Sequence, residues 1–238
     1  AGGSLVLCGA GTSGRLAVAE AAECPPTFRS RPEQVRALIA GGRPALGRAI
    51  EGAEDDEAAG RSAVQEDGVG AGDVFVGISA SGSAPFVRAA LAEAARRGAH
   101  TALLTCNPLA ARHEPPLAHE TIVLEVGPEL LAGSSRLKAG TATKIALNAL
   151  STAAFSRLGK VYGALMVDVH ATNRKLRARA RRLVCRLAQV QPARAEALLR
   201  AVDWRVKDAV VMARLGVGPA EAARRLAAAG GRLREVIG

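Results

Sequence analysis

The sequence is poor in aromatic residues and has no long, uninterrupted run of apolar ones. Aromatic side chains make up 3% of the 238 residues, so the core must be built mainly by aliphatic packing. No stretch of about 18 apolar residues runs without a charge or a turn residue, which argues against a membrane-spanning helix. A chain of this length can bury one substantial core and a small additional domain.

Cysteine and histidine are sparse, and neither shows the spacing of a metal site. The four cysteines, Cys8, Cys24, Cys106 and Cys185, form no CxxC pair, and the four histidines are scattered. We therefore expect free thiols in a reducing compartment, a cytoplasmic location and no metal site.

Positive charge exceeds negative charge, with a formal net charge of +10. The excess is mostly arginine and is spread along the chain, except for a basic run within residues 174–182. That run contains no aromatic residues on which bases could stack, so we interpret it as a solvated helix face. We expect no nucleic-acid partner, whereas an anionic small-molecule substrate would benefit from the positive field.

Short aliphatic runs alternate with helical patterns over the first two thirds of the chain, which predicts one α/β domain with a parallel sheet covered on both faces. After residue 171 the strand patterns stop and only helices are predicted. We expect a domain boundary at 188/189, giving domains 1–188 and 189–238, the second a small helical tail. The predicted strands are Ser4–Cys8, Val35–Ile39, Asp73–Ile78, Thr101–Thr105 and Thr121–Val126. The predicted helices are 13–22, 45–51 with an extension toward 66, 85–97, 141–157, 174–188, 192–202, 206–215 and 219–228.

The first strand leads into a glycine-rich loop, residues 9–15, which matches the GxGxxG pattern of dinucleotide-binding folds. Such a site needs an acidic residue near the end of the second strand, and residues 38–42 contain none. Instead the loop carries the hydroxyls of Thr12 and Ser13 at a predicted helix N-terminus. Free amides, the helix dipole and these hydroxyls suit a terminal phosphate better than a dinucleotide.

The third strand also ends in hydroxyl groups. Ser79, Ser81 and Ser83 follow it immediately before a helix, and ligands of open α/β sheets bind at the carboxyl ends of strands. The alternative is that the serines cap the helix, which accounts for Ser83 but poorly for three alternating serines. We favour phosphate binding.

These loops resemble the sugar isomerase (SIS) domain, whose signature includes Ser-x-Ser-Gly followed by a helix. Further segments, in order along nearly the whole chain, are similar to the N-acetylmuramic acid 6-phosphate etherases of that superfamily. The resemblance implies a doubly wound five-stranded parallel sheet flanked by helices, a phosphorylated amino-sugar substrate, a role in peptidoglycan recycling, and a homodimer. The similar segments are 9–16, 23–28, 38–42, 51–56, 133–141, 159–163, 166–168 and 171–173.

The resemblance also implies a reaction, in which the lactyl ether at C3 is cleaved to give N-acetylglucosamine 6-phosphate and D-lactate. In the open-chain sugar the C1 aldehyde acidifies the C2 proton, and the C3 oxygen is a β leaving group. Elimination and then water addition avoid displacement at carbon and need no metal or redox cofactor, so no cofactor is expected. Two carboxylates can divide the acid and base work. By resemblance, Glu23 is the acid for lactate departure and Glu54 is the C2 base.

Each of these two glutamates also has a simpler interpretation. We expect Glu23 at the end of the first helix, where it could be partly desolvated with a raised pKa, or merely be a helix-end carboxylate. Glu54 lies in an acidic cluster that on its own indicates surface charge. Arg15 could bind the ligand or pair with an acidic residue.

A third strand-end position carries Ser134, Ser135 and Lys138, between the last strand and a long helix. We expect these residues to bind substrate, with Lys138 neutralising the phosphate or the lactate carboxylate, although a structural lysine is the alternative.

Residues 83–86 depart from the etherase pattern, which has Arg-Thr-Pro after Ser81-Gly82. The variant is similar to the glucokinase regulatory protein, so a non-catalytic sugar-phosphate sensor is a second hypothesis, although that branch lacks the Glu-Cys-Pro-Pro segment found here. An aldose–ketose phosphate isomerase is a third. The chain starts without methionine, and we interpret it as a fragment lacking an N-terminal helical segment.

Overall fold

A computed structural model of the chain describes residues 2–238, which divide into two compact units. The first unit runs to Ala22 and continues over Arg31–Ala149, and the second comprises Glu23–Ser30 and Leu150–Gly238. The boundary predicted at 188/189 lies inside the second unit. Within the described residues, none of the helices has both the length and the apolar character that spanning a membrane requires.

A five-stranded parallel sheet forms the centre of the first unit, as the sequence predicts. The strand order is β2-β1-β3-β4-β5, so the chain places β2 on one side of β1 and β3 on the other. All four neighbouring pairs are parallel, with Gly9 of β1 level with both Ile39 and Ile78. The strands are β1 Leu5–Gly9, β2 Val35–Ile39, β3 Val74–Ile78, β4 His100–Thr105 and β5 Glu120–Val123.

Both faces of this sheet are buried. Val6 and Phe75 belong to one continuous apolar cluster, whereas Leu7 and Val76, which point to the opposite face because side chains alternate along a strand, are equally buried. A parallel sheet buried on both faces explains why its strands are continuous aliphatic runs in the sequence.

Two helices lie wholly within the first unit, α2 Glu57–Asp67 and α3 Pro85–Arg96. Two others, α1 Gly11–Phe28 and α4 Lys138–Arg157, begin in the first unit and end in the second. The Asp56 carboxylate caps α2 by accepting a 2.8 Å hydrogen bond from the Ala59 amide.

Two details of the predicted helices are wrong. The helix expected over 45–51 is absent there: Gly52 adopts a left-handed conformation (φ +73°), and 3₁₀ turns cover Arg43–Leu46 and Ala53–Asp55. The first helix continues past residue 22 to Phe28, whose ring stacks on that of Phe155 with centroids 4.5 Å apart. This stacking stabilises the extension despite two prolines inside the helix.

Most of the rest of the second unit is helical, and its core contains Val184, Leu199 and Val210. Beside this core, the Asp168 carboxylate pairs with Lys160 and Lys207 at 3.0 and 2.8 Å. The helices are α5 Arg174–Ala188, α6 Pro192–Ala201, α7 Val206–Leu215, α8 Pro219–Ala228 and α9 Leu233–Ile237; the sequence predicts the first four, and α9 was missed.

Candidate functional site

A cavity of about 520 Å³ lies at the carboxyl ends of β1 and β3 in the first unit. The strand order reverses at β1, and ligands of open α/β sheets bind at such a switch point. Six of the ten residues predicted to act in the site line this cavity: Thr12, Ser13, Glu54, Ser79, Ser81 and Ser135.

Thr12 and Ser13 lie in the first turn of α1, directly after β1. The strand and the helix meet closely, since a Cβ atom on Gly14 would lie 2.5 Å from the carbonyl oxygen of Gly9. This contact requires glycine and brings the helix N-terminus, with its free amides, to the cavity.

Arg15 does not line this cavity, and among the residues that the structure describes it forms no ion pair with a carboxylate within 4.0 Å. Its Nε and one terminal nitrogen donate 2.9 Å hydrogen bonds to the carbonyl oxygens of Ala45 and Arg48. These bonds hold the segment after β2, and Arg15 also lines a neighbouring cavity of about 300 Å³ together with Gly11 and Glu54, so a contact with the ligand stays a prediction.

The loop after β3 is organised by its own serines. Ser79 Oγ accepts a hydrogen bond from the Gly82 amide at 3.1 Å, and Ser81 Oγ accepts one from the Ser83 amide at 3.2 Å. The N-cap residue of α3 is Ala84, which has no side-chain bond. The idea that Ser83 caps the helix is therefore wrong, because the Ser83 hydroxyl bonds Ser81 Oγ instead, at 2.7 Å.

Glu54 lies in the 3₁₀ turn Ala53–Asp55 and is exposed at the rim of the cavity. Its position in the cavity wall distinguishes it from an ordinary surface carboxylate. Among the described residues, no His, Cys, Asp and Glu side chains form a group of three or more that could hold a metal ion.

Two residues at the cavity were missed by the sequence analysis, Glu129 and Cys106. The amides of Ala139 and Lys138 bond the Glu129 carboxylate and lower its pKa. Burial and the neighbouring charge of Glu129 raise the pKa of the Cys106 thiol, and a bond with Thr143 opposes them. Glu129 caps a helix from nine residues upstream, so no local capping pattern reveals it.

Three of the predicted binding residues do not line this cavity. Ser134 and Lys138 flank Ser135 in the segment leading to α4, and Lys138 Nζ donates a 2.8 Å hydrogen bond to the carbonyl oxygen of Val126. Ser83 instead lines a larger cavity of about 830 Å³ beside α3, together with Arg88 and His113.

Glu23 lies in the interior of α1, in the part that belongs to the second unit. The expectation that it is a partly desolvated helix-end residue is wrong for this chain, because the helix continues for five further residues and the side chain is exposed. Its neighbour Cys24 is the buried residue of this turn, and the Pro26 carbonyl accepts a 3.2 Å hydrogen bond from the His170 amide.

Comparison with known proteins identifies the family. Residues 1–95 match the model of the glucokinase regulatory protein N-terminal SIS domain. An N-acetylmuramic acid 6-phosphate etherase of Deinococcus radiodurans is 51% identical over 240 residues, covering 100% of this chain and 77% of the relative. Etherases of Gloeobacter violaceus and Mycolicibacterium smegmatis are 52% and 48% identical, covering 98% and 100% of this chain and 75% and 79% of their own lengths.

The chain belongs to the N-acetylmuramic acid 6-phosphate etherase family. This confirms the resemblance and the SIS-type fold predicted from the sequence. The match to the glucokinase regulatory protein domain covers only residues 1–95, whereas the etherase of Deinococcus radiodurans matches along the whole chain. The hypothesis of a non-catalytic sensor therefore gains no support.

Proposed function

We propose that this protein is a carbon–oxygen lyase that cleaves the D-lactyl ether of N-acetylmuramic acid 6-phosphate. The products are N-acetylglucosamine 6-phosphate and D-lactate. The observation that carries the proposal is the identity of about one half to etherases along the whole chain. The cavity supports it, since it combines the hydroxyls suited to a phosphate with a carboxylate suited to proton transfer.

The substrate phosphate binds among the hydroxyls of Thr12, Ser13, Ser79, Ser81 and Ser135. Hydroxyls and the free amides of a helix N-terminus donate hydrogen bonds to phosphate oxygens, and the helix dipole favours the negative charge. Ser83, Ser134 and Lys138 stay predicted binding residues. For Ser83 the support is its hydroxyl bond to Ser81.

The reaction starts from the open-chain aldehyde. A base removes the C2 proton, the electron pair forms the C2–C3 double bond, and the C3–O bond breaks, with an acid protonating the departing lactate oxygen. Water then adds to C3 and a proton returns to C2, which restores a saturated sugar. The atoms balance with one water molecule consumed and no change in oxidation state overall.

We assign Glu54 as the C2 base and Glu23 as the acid. Glu54 is supported by its position in the cavity wall. Glu23 is supported by the family's Glu-Cys-Pro-Pro-Thr segment at residues 23–27. Two carboxylates in different environments can perform opposite proton transfers at one pH.

The test is incubation with N-acetylmuramic acid 6-phosphate in deuterated water, with NMR following lactate release and deuterium at C2. Release of lactate is expected, together with deuterium at C2 of the N-acetylglucosamine 6-phosphate product. Turnover of glucosamine 6-phosphate without lactate release would favour an isomerase. Tight hexose phosphate binding with no reaction at all would contradict the proposal.

Single substitutions distinguish the roles of Glu54 and Glu23. Glu54→Gln is expected to abolish C2 exchange, whereas Glu23→Gln is expected to slow lactate release more than exchange. Glu51→Gln is the matched control, because Glu51 is exposed in the same acidic segment and does not line this cavity. If both variants released lactate at the rate of the control, the assignment would be lost.

We also propose that the protein acts as a cytoplasmic homodimer. The location is supported by the four cysteines, which form no disulfide among the described residues and so suit a reducing compartment. The dimer follows from the way SIS domains pair, and light scattering of the purified protein measures it directly: a mass near twice 24.4 kDa is expected.

A further inference from the structure

A cavity of about 830 Å³ lies beside α3, and Ser83 is the one predicted site residue that lines it. We call it the α3 cavity, and the cavity at the carboxyl ends of β1 and β3 the strand-end cavity. Arg88, Ala92 and Ala95 line the α3 cavity from the exposed face of the helix, where they follow one another at helical spacing. Residues 115–118, Pro-Pro-Leu-Ala, line it as well. The cavity therefore combines a cation with apolar surface.

Arg88 carries a positive charge that no carboxylate of the described residues neutralises within 4.0 Å, whereas Arg61, which also lines the cavity, pairs with Glu57 at 2.8 Å. A terminal nitrogen of Arg88 lies 2.9 Å from His113 Nε2. His113 Nδ1 lies 2.8 Å from the Pro115 carbonyl oxygen, which can only accept, so the ring proton is on Nδ1. The ring that accepts from Arg88 is therefore neutral, and the charge of Arg88 is available to an anion.

Ser83 connects the α3 cavity to the strand-end cavity. Its hydroxyl oxygen lies 2.7 Å from Ser81 Oγ, and Ser81 lines the strand-end cavity. Each hydroxyl has one hydrogen, and two hydroxyl oxygens at this distance share one hydrogen between them. When Ser83 supplies it, the hydrogen of Ser81 is free for an anion in the strand-end cavity. When Ser83 donates to an anion in the α3 cavity, Ser81 has to supply the shared hydrogen instead.

We propose that the α3 cavity is a second ligand site, which takes a phosphate monoester bearing an apolar group. Arg88 and Ser83 bind the phosphate, since guanidinium and hydroxyl groups both donate strongly to phosphate oxygens, and the apolar group lies along the alanines of α3. Binding there commits the Ser81 hydrogen to Ser83 and so weakens phosphate binding in the strand-end cavity. By linkage, a phosphate in the strand-end cavity weakens the second ligand by the same factor. The coupling rests on the proposed function, which places the substrate phosphate at Ser81, whereas the second site does not depend on it.

Histidine ring signals test the second site, with phenyl phosphate as the probe. His113 and His119 line the α3 cavity, no histidine is among the described residues that line the strand-end cavity, and His170 lies in the second unit. In NMR spectra of protein with isotope-labelled histidine, phenyl phosphate is expected to shift the ring signals of His113 and His119 and to leave those of His170 unchanged. The absence of both shifts at about 10 mM phenyl phosphate would overturn the proposal.

Substitutions of Arg88 test what binds the phosphate. Arg88→Gln is expected to raise the phenyl phosphate concentration at the midpoint of these shifts by about tenfold or more, and Arg88→Lys, which keeps the charge, by less. Arg112→Gln is the matched control, because it removes the same charge from an exposed arginine that does not line the α3 cavity. If Arg88→Gln bound phenyl phosphate as Arg112→Gln does, Arg88 would only hold the segment of His113 in place, and the proposal would be overturned.

Glucosamine 6-phosphate tests the coupling. Its Kd, measured by calorimetry, is expected to rise by about fivefold as phenyl phosphate is added and then to reach a plateau. Ser83→Ala is expected to remove this rise, because the pair of hydroxyls is lost. A rise without a plateau would mean that the two compounds compete for one cavity, and an unchanged Kd that the two cavities are independent; either result would contradict the coupling. Neither titration needs turnover, so a failure of the proposed etherase reaction would leave both results valid.

Discussion

Ser81 Oγ and Ser83 Oγ lie 2.7 Å apart, in a loop where the Ser83 amide also donates to Ser81 Oγ. Ser81 is thus held from two sides while it lines the cavity, whereas Ser83 lines the neighbouring one. Alternating serines whose hydroxyls bond one another form a pre-organised donor set, which lowers the entropy lost when an anion binds.

Ser81→Ala is accordingly expected to weaken phosphate binding by about tenfold or more, because a hydrogen bond to a charged group contributes about 1.5–3 kcal/mol. The dissociation constant of glucosamine 6-phosphate, measured by calorimetry, checks this. Ser62→Ala is the control, since Ser62 is an exposed serine of α2 and does not line the cavity. An equal loss of affinity in both variants would argue against a specific role for the loop after β3.

The sheet was predictable because each of its strands is a local pattern. β2 matches its predicted range, and the other four strands differ from theirs by at most three residues at either end. The two hydroxyl loops follow from the same patterns, because parallel strands place their carboxyl ends on one edge.

Long-range contacts were not predictable. The bonds from Glu129 to the amides of Lys138 and Ala139 join positions nine and ten residues apart, and those from Arg15 reach carbonyl groups 30 and 33 residues away. Neither has a local sequence signature. The extension of α1 depends likewise on Phe155, which is distant in the sequence.

Acid is expected to weaken the first unit through Glu93, which is buried in α3. Hydrogen bonds, first from Arg96 and then from Gln65, lower its pKa from 4.5 to about 2. A lowered pKa stabilises the fold above the unfolded value, and this contribution is lost as the pH falls from about 4.5 toward 2. Urea unfolding as a function of pH measures it.

Glu93→Gln should lose that part of the pH dependence, and its stability should change less between pH 5 and about 3 than that of the wild type. Glu66→Gln changes an exposed carboxylate of α2 and serves as the control. If the free energy of unfolding of Glu93→Gln fell with pH as steeply as that of the wild type, groups other than Glu93 would be responsible for the acid sensitivity.

The backbones of β1 and α1 approach each other closely at Gly14, so any side chain at this position is expected to destabilise the fold. A Cβ atom on Gly14 would lie 2.5 Å from both the Gly9 carbonyl oxygen and Ile39 Cγ1, so strand and helix must separate. Gly14→Ala is expected to lower stability by about 1–3 kcal/mol, as overpacking does, and to weaken phosphate binding as well. Gly47→Ala is the control, since its Cβ would meet open space. Thermal unfolding and phosphate titration of both variants decide the point.

In the second unit Asp168 pairs with Lys160 and Lys207, and replacing Lys207 is expected to lower the free energy of unfolding strongly. Lys207 is 8% exposed, and its Nζ contacts Asp168 at 2.8 Å and the carbonyl oxygens of Gly231 and Gly159 at 2.8 and 3.3 Å. Lys207→Met leaves these acceptors without their donor, and removing one member of a buried pair costs about 3–5 kcal/mol. Urea unfolding is expected to show a loss of about 3 kcal/mol or more.

Lys175→Met is the matched control for Lys207→Met, because Lys175 is exposed on α5 and its replacement should change stability by less than about 0.5 kcal/mol. Asp168→Asn provides a second test of the same cluster. It keeps the side-chain size but leaves Lys160 and Lys207 facing each other without the charge between them, so it should destabilise the protein in the same direction. If Lys207→Met were as stable as Lys175→Met, the contacts of Lys207 would make no net contribution to the free energy of unfolding. The stability of the second unit would then have to be assigned to its apolar core.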